Sequence, residues 1–347
     1  MKILILGVNG FIGNKLVKKI MQSTDWEVYG MDLSCSKLSH SIDNPGFHFI
    51  EGDITIHKEW VDYHVKKCDV ILPLVAIATP AHYIKKPLQV FELGFEENLR
   101  IVRLCVKYGK RILFPSTSEV YGMNSDPEFS EDKSNFVLGP IRKQRWIYAC
   151  AKQLLDRVIW AYGTEGKLDF TIFRPFNWIG PKLDDIDAAK EGSSRVVTQF
   201  IINIVMNEPI KLVDGGMQKR CFTYIEDGID CLMKIIENKN GLCHGEIFNI
   251  GNPDNECSMR ELAERLLALY RRHPETEAYS ASTTEITDVL SNEFYGEGYQ
   301  DISARKPSIK KAQDLLGWEP VVGLESALEK TLDFFIEESR VKGLLCA

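Results

Sequence analysis

Lys2-Ile3-Leu4-Ile5-Leu6-Gly7-Val8-Asn9-Gly10-Phe11-Ile12-Gly13 sets the architecture of this chain. Four apolar residues run without a polar break, which reads as a strand covered on both faces. Apolar residues then recur at three- and four-residue spacing over 11–21, the pattern of a helix packed along one side. Between them stand three glycines. Glycine permits a tight turn, lets the backbone approach a pyrophosphate, and allows helix and strand to pack closely, while the helix N-terminus presents free N–H groups to phosphate. The spacing Gly-x-x-Gly-x-x-Gly is a shifted form of the usual dinucleotide fingerprint, and glycines also simply make turns. Strand before and helix after make the context fit. Gly7, Asn9, Gly10, Phe11, Ile12 and Gly13 are therefore read as a dinucleotide cradle.

Working outward, short apolar runs at 27–31, 47–50, 70–74, 111–114 and 170–173 alternate with helical patterns such as 90–106. This repeated order predicts an α/β fold with a doubly wound parallel sheet. Past residue 175 helical patterns dominate (198–206, 226–237, 258–270, 309–316 and 324–337), and one strand candidate at 246–250 looks like a return to the sheet. The expected division is a nucleotide-binding domain over 1–177, with 218–251 returning to it, and a smaller, discontinuous C-terminal substrate lobe over 178–217 and 252–347. Residues 272–300 are polar, carry a serine–threonine cluster and show no period, and are expected to be loop.

The 347 residues suit two lobes at roughly 150 residues per domain and can bury a core without disulfides. Lys and Arg number 42 against 49 Asp and Glu, a net −7, so a nucleic-acid or anionic-membrane surface is a poor fit. The nine cysteines include no Cys-x-x-Cys pair, and neither a secretory leader nor a span of about 20 apolar residues is visible. Reduced thiols in a cytoplasm are expected. The seven histidines show no metal-ligand spacing, so no metal site is expected.

Asp32 follows Gly13 by 19 residues, where an acidic side chain can accept both ribose hydroxyls and repel a 2′-phosphate. It favours NAD over NADP, although Lys37 is near. Asp53-Ile54 could reach the adenine edge, or Asp53 could be a turn aspartate. Tyr148 and Lys152 share a helix face, and a neighbouring ammonium would favour the phenolate as a base. Tyr63 and Lys67 have the same spacing and are read as a solvated pair. What separates the two is Ser116-Thr117-Ser118, at a strand end facing the ligand crevice. Glu119 beside it could be a catalyst or a helix-terminal charge. Arg305-Lys306-Pro307 could bind an anion, with solvated charge the leading reading from sequence. The stretch 211–220 (KLVDGGMQKR) suggests a diphosphate-contacting hairpin or a plain turn.

The glycine turn, the Thr117/Tyr148/Lys152 set and the two-lobed layout resemble the extended short-chain dehydrogenase/reductases that act on nucleotide sugars through an NAD-binding Rossmann domain. Thr117-Ser118-Glu119 with Arg305-Lys306-Pro307 looks like the UDP-glucuronic acid decarboxylases of that group. The runs 72–80 (LPLVAIATP), 114–123 (FPSTSEVYGM) and 218–223 (QKRCFT) are similar to the dehydrogenase half of a bifunctional polymyxin-resistance enzyme of lipid A modification, which forms UDP-4-keto-pentose. The formyltransferase half has no counterpart here, so the chain is expected either to work alone or to be part of a longer protein.

The resemblance implies that Leu74, Ala76, Thr79, Asp32, Asp53 and Ile54 bind NAD along with the glycine turn, Tyr148 and Lys152. Ala78, Tyr83, Thr117, Ser118, Arg145, Asn177, Lys211, Lys219, Arg220 and Tyr299 would surround UDP-glucuronic acid. Tyr148 and Lys152 would serve oxidation at C4, Glu119 would be a catalytic carboxylate, and Arg305 would donate a proton after decarboxylation. A homo-oligomer, dimer or larger, is implied. Return of the hydride to give UDP-xylose, a 4-epimerase or 4,6-dehydratase, and an NAD-holding sensor remain as alternatives.

Overall fold

The computed structural model describes residues 1–276 and 283–344. The opening strand, β1 (Lys2–Leu6), is buried along four residues. Alternate side chains leave a strand on opposite faces. Accordingly Ile3 and Ile5 enter one hydrophobic cluster while Leu4 and Leu6 enter another. The unbroken apolar run thus records a strand covered on both sides.

Six further strands join it: β2 (Glu27–Asp32), β3 (Phe47–Glu51), β4 (Val70–Pro73), β5 (Arg111–Pro115), β6 (Phe170–Pro175) and β7 (Glu246–Ile250). Their order is β7-β6-β5-β4-β1-β2-β3, every pair parallel. This is the expected doubly wound Rossmann sheet. The strand order reverses between β1 and β4, and a crevice opens there beyond the carboxyl ends of the strands. Helix α1 (Phe11–Ser23) leaves the glycine turn directly after β1.

Three shorter sheets lie outside this one. Ile210–Val213 pairs in parallel with Ile286–Val289. Lys219–Cys221 lies between Glu256–Ser258, antiparallel, and Ala304–Arg305, parallel. Trp178–Ile179 pairs with Thr223–Tyr224. The helix Met259–Arg272 begins with a capping box in which Ser258 and Glu261 satisfy each other's backbone donors.

Three local expectations are corrected. The polar stretch 272–300 contains the strand Ile286–Val289 and the short helix Ser291–Phe294. A polar sequence hid that strand because its pattern is intermediate and exposed, with pairing to Ile210–Val213 as its support. The segment 211–220 is no hairpin, since its two ends belong to different sheets. The helical pattern over 90–106 is broken into Pro87–Phe91, a π-helical Glu92–Glu97 and α2 (Asn98–Tyr108). Asn98 donates its side-chain amide to the carbonyls of Leu93 and Val75, tying this irregular turn to the loop after β4.

Candidate active site

The cradle is built from backbone. Gly7 lies at φ +84°, in the left-handed region, and a Cβ there would meet the Leu74 carbonyl carbon at 3.1 Å. At Gly13 a Cβ would come within 2.6 Å of the Gly7 carbonyl oxygen, so only glycine lets α1 pack this tightly on the turn. No side chain caps the N-terminus of α1, leaving its first N–H groups without a side-chain acceptor.

Asp32 closes the other side. Its Oδ2 accepts from the Asn9 backbone N–H (2.7 Å) and its Oδ1 from that of Leu33 (2.7 Å). Each oxygen keeps a lone pair that could meet a ribose hydroxyl. Burial pushes this carboxyl above its ordinary value, opposed by the N–H groups of Asn9, Leu33 and Gly10 and by Lys37. The Asn9 side chain donates to Ser34 and Ser36 and accepts from the Lys37 N–H, which shapes the loop after β2. Asp53 is spent on its own turn, accepting from the Thr55 N–H and hydroxyl, and Ile54 is buried in the second core cluster.

Across the crevice, α3 (Trp146–Thr164) buries Tyr148 and Lys152 on one face. Tyr148 stacks on Tyr83 with ring centres 4.8 Å apart and an interplanar angle of 11°. Its hydroxyl meets Thr117. Burial, and then the Glu119 carboxylate, push the phenol above its ordinary value, while Thr117, Arg195 and Arg305 oppose them. Lys152, four residues further along the same face, is likewise buried. Its ammonium donates to the Pro115 carbonyl at 2.7 Å, and burial pulls it down to about 8, with Asp156 opposing.

The most heavily charged part of the site joins residues far apart in the chain. Arg305 donates to Glu119 Oε1 (2.9 Å) and Arg145 to Glu119 Oε2 (2.7 Å). Burial pushes this carboxyl up, but Arg145, Arg305 and Arg220 together hold it below its ordinary value. Arg305 also reaches the Ser118 hydroxyl and Asn177 Oδ1, both at 3.4 Å. Arg220 is tied to Asp301 (2.8 Å) and the Ile302 carbonyl, and burial followed by Arg305 pulls it down to about 10. Arg145 lies over the Tyr299 ring and donates to the Gln300 carbonyl. The solvated reading of Arg305 is thereby overturned, because only 8% of it is exposed. Lys306, its neighbour, turns outward to Glu128.

Lys211 and Lys219 are not brought into this cluster. Lys211 is exposed on the strand paired with Ile286–Val289, and Lys219 faces Glu256 at 3.7 Å. Ala76 and Thr79 are half-buried and Ala78 exposed in the loop after β4. A buried chain beneath the site escaped the reading of sequence. Ser116 donates to Asp156 (2.8 Å), Arg174 to both Asp156 (3.1 Å) and the Tyr121 hydroxyl (2.8 Å), and Tyr121 to Asn249 (2.8 Å). Asp156 stands one helical turn after Lys152, and that spacing was its available signal.

Residues 3–251 match the model of the NAD dependent epimerase/dehydratase family. The chain belongs to that family. Its cofactor is NAD, and the cradle, the uncapped helix and Asp32 fit a dinucleotide. The fold is shared across solved structures. A PbgP3 protein from Burkholderia pseudomallei is 55% identical, with 100% of this chain and 99% of that one covered and a TM-score of 0.88. UDP-glucose 4-epimerase from Thermotoga maritima, in a structure with UDP-glucose, is 22% identical with a TM-score of 0.80, covering 97% and 99%. UDP-glucuronic acid 4-epimerase from Bacillus cereus, in complex with UDP-glucuronic acid and NAD, is 23% identical with a TM-score of 0.79, covering 97% and 100%. At these last two identities the likeness is one of fold.

Among the described residues no group of three or more His, Cys, Asp or Glu could hold a metal, and no helix is long and apolar enough to cross a membrane. The eight described cysteines are free thiols, and Cys346 lies outside the described residues.

Proposed function

We propose that this chain oxidises and decarboxylates UDP-glucuronic acid, giving UDP-4-keto-pentose and CO₂. The observation that carries the reading is the buried Arg145–Glu119–Arg305 cluster beside Ser118, Thr117 and Tyr148. An enzyme working only at C4 needs the tyrosine; a fork-shaped cation beside it suits a substrate carboxylate.

In this reading Tyr148 takes the proton of the C4 hydroxyl, and Thr117 and Ser118 hold that oxygen. NAD, when bound, accepts the C4 hydride. The C4 ketone then lies β to the C6 carboxylate, so CO₂ can leave with its bonding electrons passing into an enolate. Hydroxyl donors aimed at that oxygen stabilise the developing charge. Arg305 returns a proton to C5, and Glu119 keeps the guanidinium in place. Tyr83, Arg145, Asn177 and Arg220 would line the nucleotide-sugar side from the domain over 1–177 and 218–251, with Tyr299 reaching in from the smaller lobe. Lys152, down at about 8, would anchor the cofactor and draw the phenol down when the site is filled. A cytoplasmic homo-oligomer serving lipid A modification would match the resemblance in the sequence.

The test is to incubate the pure chain with UDP-[6-¹⁴C]glucuronate and NAD while following labelled CO₂, NADH absorbance and the identity of the nucleotide sugar. Label release with NADH accumulating in step supports the proposal. Label release without NADH indicates that the hydride returns to give UDP-xylose. A C4 epimer with the label retained refutes decarboxylation. Arg305→Lys keeps the charge but not the fork, and is expected to bind NAD normally and lose CO₂ release. Release at the native rate from Arg305→Ala would remove the main chemical support.

A further inference from the structure

A cationic cavity opens beside α1, lined by none of the residues of the arginine cluster. About 160 Å³ of space is bounded by Lys15 and Lys18 of α1, Lys37 and His40 from the segment after β2, Lys182 from the segment after Trp178–Ile179, and Phe334 of the last helix. A water needs only about 10–15 Å³ of such space, so a multi-atom ligand can enter. All four lysines are half-buried.

Four ammoniums meeting in one recess repel one another. Burial first, and then neighbouring lysines, hold Lys15 and Lys182 below their ordinary values. The carboxylates facing the group compensate only in part. Lys37 pairs with Asp185 at 3.2 Å, while Glu226 draws on Lys15 and Glu338 on Lys182 at longer range. Among the described residues, Lys15, Lys18 and Lys182 make no ion pair. The backbone carries a separate mark. Lys182 sits at φ +67°, a left-handed conformation that costs a lysine energy, and its ammonium is held beside the cavity by the Lys37 carbonyl at 3.0 Å. Strain of this kind persists where surrounding structure over-determines it, often at ligand clamps.

We infer that this recess is a binding site for a phosphate-class anion, held by Lys15, Lys18, Lys37 and Lys182. Lysines bind phosphate as mobile point charges, without the fixed fork that a carboxylate favours. The Lys37 N–H also donates to Asn9 Oδ1 (2.8 Å), so the site shares a residue with the glycine turn. The phosphate could be a free anion or the 2′-phosphate of a nucleotide.

Pyrophosphate titrated calorimetrically into the NAD-saturated full chain, with chloride balancing ionic strength, tests this without UDP-glucuronate turnover. Saturable one-to-one binding is expected, weakened at least tenfold in Lys15→Gln/Lys18→Gln and in Lys182→Gly. NAD affinity and melting temperature confirm that each variant is folded, and glycine at φ +67° removes backbone strain. No saturable binding by the native chain, or unchanged affinity in the double variant, overturns the inference. On NAD-free chain, competition by NADP but not NAD assigns the anion to a nucleotide 2′-phosphate, and competition by neither assigns it to a free anion. Competition by both would place pyrophosphate in the cofactor cradle and also overturn it.

Discussion

Tyr63 and Lys67 repeat the spacing of Tyr148 and Lys152 on another helix, yet the two pairs live in different physical worlds. Tyr63 is 60% exposed, and Lys67 lies over the Tyr29 ring at 4.1 Å, where the Tyr29 side chain pushes it above its ordinary value. Lys152 is 1% exposed, bonded to a carbonyl and pulled down to about 8 by burial. The lesson is that a motif of two residues has no chemistry of its own. Burial and the third and fourth partners decide it.

Removing one oxygen from each ring separates the two pairs most strongly. Tyr148→Phe is expected to lower C4 oxidation by about 10²–10⁴, the ordinary cost of losing a general base, with NAD binding intact. Tyr63→Phe should leave turnover within a factor of two. Equal losses would show that the wrong tyrosine was chosen.

Two paired carboxylates extend the contrast. Glu119→Ala leaves Arg145 and Arg305 buried without their shared partner, and should cost about 3–5 kcal/mol in denaturant unfolding. Glu128 and Lys306 form the exposed counterpart, and Glu128→Ala should cost roughly 0–1 kcal/mol. A small loss at Glu119 would mean that the two guanidiniums find water or other acceptors.

The two lysines should also differ in sign with pH. Lys152 titrates lower when folded, so between about 8 and its ordinary value the unfolded chain holds more protons and stability rises with pH. The full rise is roughly 3 kcal/mol, and Lys152→Met should flatten it. Lys67 is shifted upward, so its contribution is present below its ordinary value and is lost as pH rises through the folded one. In melting curves from about pH 7 to 10, Lys152→Met should lose the rise and Lys67→Met should keep the native slope, since Lys67 titrates above that range. Lys152→Met leaving the slope unchanged would contradict this account.

The mildest effect concerns two aspartates near neighbouring strand ends. Asp32→Ala is expected to narrow the preference for NAD over NADP by about tenfold, the worth of one or two hydrogen bonds. Asp53→Ala should change it less, since that carboxylate is already engaged by Thr55. Kinetics with each cofactor read this directly, and a larger change at Asp53 would reverse the assignment.

The residues by themselves determined the parallel sheet, the glycine turn after β1 and the candidacy of Asp32, Tyr148 and Lys152. These follow from short-range regularities: an unbroken apolar run means two covered faces, and a glycine at a crowded turn means no room for a Cβ. Only the tertiary structure decided that Arg305 is a buried partner of Glu119, 186 positions away, that 211–220 is split between sheets, and that Asp156 and Arg174 brace the floor. A charge followed by a proline looks the same in solvent as in a core. Whether it faces water depends on which strand folds over it, and the short pairing of Ala304–Arg305 with Lys219–Cys221 is written in no local period.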